Sequence, residues 1–219
     1  MDVVSAESKD LELRRRHWDK HSRSYDKQMG FMERKFFGDT RKWVCRQARG
    51  EVLEVAVGTG LNLDWYPDET RLTGIDLSSR MLDLARRRAD ATGRVVELSV
   101  GNAQQLEFAD ESFDTVVCTF SLCAVPDDRG VVDEMKRVLK PGGQLLLADH
   151  VISTSWSARI VQRMLDLVTV PTAGENFRRR PIRYVRAAGF LIEEHERFKL
   201  GIVERMVARK PIPDGPGVS

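Results

Sequence analysis

The chain has 219 residues, few cysteines, no long apolar run and no internal repeat. Its three cysteines, Cys45, Cys118 and Cys123, form no CxxC pair. Neither a disulfide framework nor a metal site is therefore expected. No apolar stretch approaches the roughly 18 residues of a membrane span. The opening MDVVSAESKDLELRRRHW lacks the apolar core of a signal peptide, so the expected compartment is cytoplasmic. RNP, zinc-finger and helix-turn-helix signatures are missing, and the basic residues are not interleaved with aromatics. No nucleic acid partner is expected.

What is present fits a soluble globular domain: 42% hydrophobic and 31% charged residues. The net charge of +2 hides an asymmetry, with residues 1–50 at +5, residues 51–150 at −8 and residues 151–219 at +5. Two basic flanks enclose an acidic middle. They read as solvated helix faces, or as rims that draw in an anionic partner and make peripheral membrane contact.

From residue 51 the pattern turns from helical to alternating. Strands are expected at Glu51–Val57, Arg71–Ile75, Val95–Val100, Asp114–Thr119 and Gln144–His150. Between them lie helices over Ser78–Ala91, with Ser78 as N-cap, and over Asp128–Leu139, stopped by a turn at Lys140-Pro141-Gly142-Gly143. Strands alternating with helices make an α/β fold with a parallel sheet. Ser155–Val170 places Trp156, Ile160, Met164 and Val168 four apart, an amphipathic helix expected to pack on the sheet. Phe190–Arg197 and Gly201–Ala208 read as a closing hairpin, which an ordinary dinucleotide fold lacks.

The strongest local signal is Glu54-Val55-Ala56-Val57-Gly58-Thr59-Gly60 at the end of the first strand. Glycines there let the backbone turn tightly and approach a ligand. Asp76 ends the second strand, where a carboxylate can accept both hydroxyls of a ribose. G-x-G-x-x-G fails from Gly58, because its third glycine position holds Leu63. The helix that follows is short, running into Trp65-Tyr66-Pro67, so a pyrophosphate finds no helix N-terminus. A ribose site survives and a dinucleotide site does not, which disfavours a nicotinamide oxidoreductase. Gly101-Asn102-Ala103 after the third strand can address an adenine edge.

These blocks, with Phe113–Val117 and Leu139–Gly143, stand in the order and spacing of the class I S-adenosylmethionine-dependent methyltransferases. The chain resembles most the group around the ubiquinone/menaquinone-biosynthesis methyltransferases, over roughly residues 15–150. The resemblance implies a Rossmann-like three-layer sandwich, with a seven-stranded, mostly parallel sheet whose last strand is antiparallel. It implies S-adenosylmethionine at the strands' C-terminal edge. Gly58 and Gly60 would approach its methionine part, with Glu54 beneath the amino group and Thr119 beside the sulfonium. Asp76 would hold the ribose, Leu77 and Met81 would line the adenine, and Asn102 and Ala103 would meet its edge. The family usually has glycine where Ala56 stands, so a slightly altered turn is expected.

In that frame residues 1–50 form a helical cap and residues 51–150 the cofactor core. Residues 151–183 make a helical substrate-side segment, 184–210 the last helix and hairpin, and 211–219 a flexible tail. The resemblance sets Tyr25, at helical spacing from Trp18, over the methionine end. A helix merely docked by two aromatics is the alternative. His150 ends the fifth strand, where an imidazole can serve as general base with Asp149 to orient it, or be satisfied by a backbone carbonyl. Cys118 reads as inert core and Cys123 as a residue of the acceptor pocket. Arg178-Arg179-Arg180 reads as a solvated run or an anion clamp. The expected function is methyl transfer to a small lipophilic acceptor, with its O, N, S or C atom open. Alternatives are phospholipid headgroup amines, small thiols, and a cofactor-binding protein without methyl transfer. No Asn-Pro-Pro-Tyr or Asp-Pro-Pro-Tyr follows the fourth strand, which disfavours amino-methylation of DNA adenine or protein glutamine.

Overall fold

The computed structural model describes residues 3–213, and residues 214–219 of the expected tail lie outside the described residues. Strands β1 (Glu51–Val55), β2 (Arg71–Asp76), β3 (Val96–Val100), β4 (Phe113–Thr119), β5 (Leu139–His150), β6 (Leu191–Phe198) and β7 (Val203–Arg209) form one sheet. Its order is β3-β2-β1-β4-β5-β7-β6. β7 lies antiparallel to β5 and β6, and the other pairs are parallel. The seven-stranded Rossmann-like sheet expected from the sequence is therefore the one observed.

Among the described residues six α-helices flank it: α1 (Val3–Met32), α2 (Thr40–Cys45), α3 (Ser79–Thr92), α4 (Asp128–Val138), α5 (Trp156–Ala173) and α6 (Pro181–Ala187). Alternation along each strand sends side chains to two buried clusters. Leu53, Val55, Val116 and Leu145 meet α4 and α6 on one face. Val52, Val117 and Leu146 meet α2 and α3 on the other. Ser78 caps α3, its Oγ accepting the Met81 N–H at 3.1 Å.

Four local expectations need correction. β1 stops at Val55, because Ala56 has φ +58° and so leaves extended backbone. Lys140–Gly143 is no stop between elements. β5 already pairs at Leu139 with Phe113, then resumes at Gln144 with Thr115 across an irregularity that absorbs the extra residues. The last helix starts at Pro181, so the boundary drawn at residue 183 falls inside it. The apolar side of α5 does not pack on the sheet: Trp156, Ile160, Met164 and Val168 are all exposed, while Gln162 and Asp166 are buried.

Chain direction reverses its progress across the sheet between β1 and β4. Such a switch point opens a crevice at the C-terminal ends of those strands. Among the described residues no helix is long and apolar enough to cross a membrane.

Candidate active site

The crevice is built by the turn after β1. Ala56, Gly58 and Gly60 all have left-handed backbone, with φ of +58°, +59° and +79°. Gly60 also has no room for a side chain, since a Cβ there would lie 2.8 Å from Leu63 Cδ1 and 3.2 Å from the Ala85 Cα. At Gly58 a Cβ would meet only Tyr25, 4.0 Å away, so its missing side chain leaves space on the cleft side. Gly58 lines the cleft and Gly60 packs the turn against α3.

Asp76 ties this turn to β2. Its two carboxylate oxygens accept the Gly58 and Ser78 N–H groups, each at 2.8 Å. Burial pushes the carboxyl up to about 6, against the pull of those N–H donors. Asp76, Leu77, Met81, Ile75, Asn102 and Ala103 form one wall of a cleft of roughly 740 Å³, open mouth included. Asn102 Oδ1 accepts the Gln104 N–H at 3.0 Å, which curls the loop after β3 around that wall. The donor set fits S-adenosylmethionine: a carboxylate with further lone pairs beside a Cβ-free turn, then an apolar slot ending in a polar loop.

Glu54 and Thr119 lie beneath this floor, outside the lining residues. Glu54 accepts from Asn62 Nδ2 at 2.7 Å and from the Tyr66 hydroxyl at 2.8 Å. Thr119 Oγ1 accepts from Asn62 at 2.9 Å and from Arg41 Nη1 at 2.9 Å, and Arg41 also reaches Asn62 Oδ1 and Glu33. Burial pushes Glu54 up to about 7, opposed by the Tyr66 and Asn62 hydrogen bonds. The network is a buried polar keel under the glycine turn. Arg41 carries no sequence signal of its own, since Asn62 and Thr119 lie 21 and 78 residues further along the chain.

The opposite wall comes from α1, through Leu11, Arg14, Trp18 and Tyr25. Trp18 and Tyr25 meet edge to face at 6.1 Å, on the same side of the helix. Desolvation raises the Tyr25 phenol to about 12, so it keeps its proton at neutral pH. Arg14 bonds the carbonyls of Ala124 and Gly174, pinning α1 to the rim.

His150 stands one layer behind the wall formed by Ser121, Ala124 and Val125, not in it. Its ring is 4.6 Å from that of Phe177, and its Nε2 is 3.3 Å from Cys123 Sγ. Nδ1 is 3.6 Å from Asp149 Oδ1 and has no hydrogen-bond partner among the described residues. Asp149 is spent on backbone, accepting the Cys123 and His150 N–H groups. Cys123, Asp149 and His150 place one donor atom each within 4.8 Å of one another, a juxtaposition that cysteine spacing could not reveal. Cys118 is buried core, as expected. Arg179 and Arg178 bond within the fold, to Leu122 and Asp166.

A methyltransferase-domain family model matches residues 53–147, the stretch that carries the glycine turn, Asp76 and β5. Over residues 53–147 the chain carries the motifs and fold of a methyltransferase domain. It is 42% identical over 118 residues to a phosphatidylethanolamine N-methyltransferase of Cereibacter sphaeroides, covering 53% of this chain and 58% of that one. It is 39% identical over 144 residues to a demethylmenaquinone methyltransferase of Listeria welshimeri, covering 60% of each. The chain thus spans about three fifths of the length of these curated relatives. A solved structure from Bacillus halodurans, described as a methyltransferase, superposes with TM-score 0.68 at 23% identity, over 80% of this chain and all of that one. That likeness speaks to the fold.

Proposed function

We propose that the chain methylates a small lipophilic acceptor, using S-adenosylmethionine held between the glycine turn and Asp76. The observation that carries this reading is Asp76 itself, buried in the cleft wall with one oxygen on the Gly58 N–H of the turn and the other on the Ser78 N–H at the start of α3. When bound, the cofactor supplies a methyl carried on a sulfonium. Gly58, Asp76, Leu77, Met81, Asn102 and Ala103 hold it. Glu54, Gly60 and Thr119 act from beneath, by keeping that floor in shape.

Tyr25 and Trp18 close the other side and keep water from the transfer. Because its phenol stays protonated, Tyr25 positions by contact and hydrogen bonding and does not take the acceptor's proton. His150 is screened from the cleft by the Ala124 wall and by Phe177, so it shapes the rim through Cys123 and takes no proton from the acceptor. The apolar lining favours a lipophilic acceptor, and the likeness to a phosphatidylethanolamine methyltransferase favours a lipid amine among these.

Thermal shift with S-adenosylhomocysteine is the first test. At 100 times its dissociation constant a ligand adds about 2.7 kcal/mol of stability. Stabilisation by NAD instead would overturn the reading. Release of S-adenosylhomocysteine across a panel of lipid amines, quinols and thiols then identifies the acceptor. His150→Ala is expected to keep turnover within about tenfold and cofactor affinity unchanged, and a loss of ~10²-fold or more would return the imidazole to proton transfer.

A further inference from the structure

α5 is built inside out. Its protein-facing side is polar: Gln162 Oε1 accepts the Ser153 N–H at 2.8 Å, and Gln162 Nε2 donates to the Val151 and Phe177 carbonyls. Asp166 accepts the Phe177 N–H at 2.9 Å and pairs with Arg178. These contacts satisfy backbone groups of the two segments that flank the helix. They also hold the helix in one rotation about its axis.

That rotation sends the apolar side to solvent. At 100° per residue, Trp156, Ile160, Val161, Met164, Leu167 and Val168 share one continuous arc of about 140°. All six are at least half exposed, and Trp156 and Leu167 reach 74% and 76%. Isolated exposed leucines need no explanation, but a whole helical stripe of them marks a docking surface. Leu200, 65% exposed, belongs to the β6–β7 turn, whose Leu200 carbonyl accepts the Thr154 N–H just before α5. The apolar surface thus continues onto a second element.

We propose that α5 lies in the interface of an anionic lipid bilayer, apolar arc down, without crossing it. Three observations choose this occupant over a second copy of the chain. First, Arg163 sits at the edge of the arc, about 20° from Trp156 on the helix wheel and so at headgroup level, while Arg159 lies further round and donates to the Ser153 carbonyl. Of the six basic residues in 151–183, Arg178 and Arg179 are bonded within the fold, and the only acid of α5, Asp166, is turned inward. Second, an 18-residue helix is about 27 Å long and ~10 Å wide, a stripe of roughly 300 Å². A standard protein–protein interface needs ~800 Å² from each partner. Third, α5 ends at the cleft, because Gly174, its C-cap, is held by Arg14 of the cleft wall. A helix lying on lipid would set the cleft mouth against the surface where lipophilic molecules are dissolved. The binding itself does not depend on the methyl-transfer reading.

The full chain is to be sedimented with vesicles of phosphatidylcholine alone and of phosphatidylcholine with ~30% phosphatidylglycerol at low salt. Binding to the anionic vesicles, with a blue shift of tryptophan emission that Trp156→Phe removes, is expected. The double variant Met164→Glu/Leu167→Glu, at two exposed positions, should lower the partition coefficient at least tenfold. Its melting temperature, and its stabilisation by S-adenosylhomocysteine, should stay as in the parent, which separates this test from that of the cofactor site. A parent chain that stays in the supernatant overturns the proposal, as does a double variant that sediments like the parent. So does a dimer, seen by ultracentrifugation without lipid, that the double variant dissociates while vesicle binding is absent.

Discussion

α4 and α5 both carry apolar residues at helical spacing, yet they face opposite ways. α4 buries Val131, Val132, Met135 and Val138 completely, against the sheet. α5 buries Gln162 and Asp166 and leaves its apolar stripe outside. Periodicity establishes that a stripe exists. Which side the stripe faces is decided by what the helix must touch. β-strands offer α4 a flat apolar surface with its backbone already paired. Ser153 and Phe177 offer α5 unpaired N–H groups, and a buried unpaired donor costs about 1–3 kcal/mol.

The sharpest way to break this contrast is a pair of truncations. Met135→Ala in α4 should cost about 2–5 kcal/mol, through lost transfer energy and the cavity left behind. Leu167→Ala in α5, at least as apolar a change, should stay within about 0.5 kcal/mol, because its side chain is already in water. Urea unfolding of both variants decides it. Equal costs would mean that α5 packs on the fold in solution. The converse substitution, Asp166→Ala, should cost about 1–3 kcal/mol by stranding the Phe177 N–H and Arg178. A neutral result would take away the reason for the helix's rotation.

The cofactor half predicts a ligand effect where the α5 half predicts a stability effect. Asp76→Ala should weaken S-adenosylhomocysteine binding by about 1.5–3 kcal/mol, the scale of hydrogen bonds to a charged group. The pH dependence has a definite sign. Burial holds the Asp76 carboxyl at about 6, so the ligand-free fold keeps its proton longer than the unfolded chain does. Its contribution to folding therefore falls as pH rises from the ordinary carboxyl range toward 6. Cofactor affinity should rise over the same approach to 6 and above it, because the ionised form accepts the ribose hydroxyls better. Calorimetry from pH 5 to 8 should show that rise in the parent chain and lose it in Asp76→Asn.

This division also marks how far the sequence could be read. The five strands, the Ser78 cap and the facing of Gly58 and Asp76 follow from neighbours within one βα unit. The keel was not legible, because Arg41 reaches Asn62 and Thr119 across 21 and 78 residues. Nothing in a local window announces an arginine that will be buried. His150 was legible as a strand end at the right sheet edge, but not as a ring screened by Phe177, which arrives from a loop 27 residues later. The rotation of α5 depends on two flanking loops, so spacing alone pointed its apolar stripe the wrong way.

A small stabilising effect is expected at Ala56, where the family that the sequence resembles usually carries glycine. An L-residue in the left-handed region pushes its Cβ toward the following carbonyl, at a cost of roughly 1–2 kcal/mol. Ala56 sits there with φ +58°, in a turn whose other two left-handed residues are glycines. Glycine would remove the clash but has more freedom to lose on folding, about 0.5–1 kcal/mol. The difference leaves Ala56→Gly stabilising by about 0.5–1 kcal/mol in the absence of ligand. Cofactor affinity should stay within about twofold, since Gly58 and Asp76 already define the turn through their 2.8 Å hydrogen bond. Denaturant unfolding with and without S-adenosylhomocysteine separates the two quantities. A destabilised Ala56→Gly would mean that the alanine methyl, which lines the cleft, contributes more by packing than its backbone strain costs.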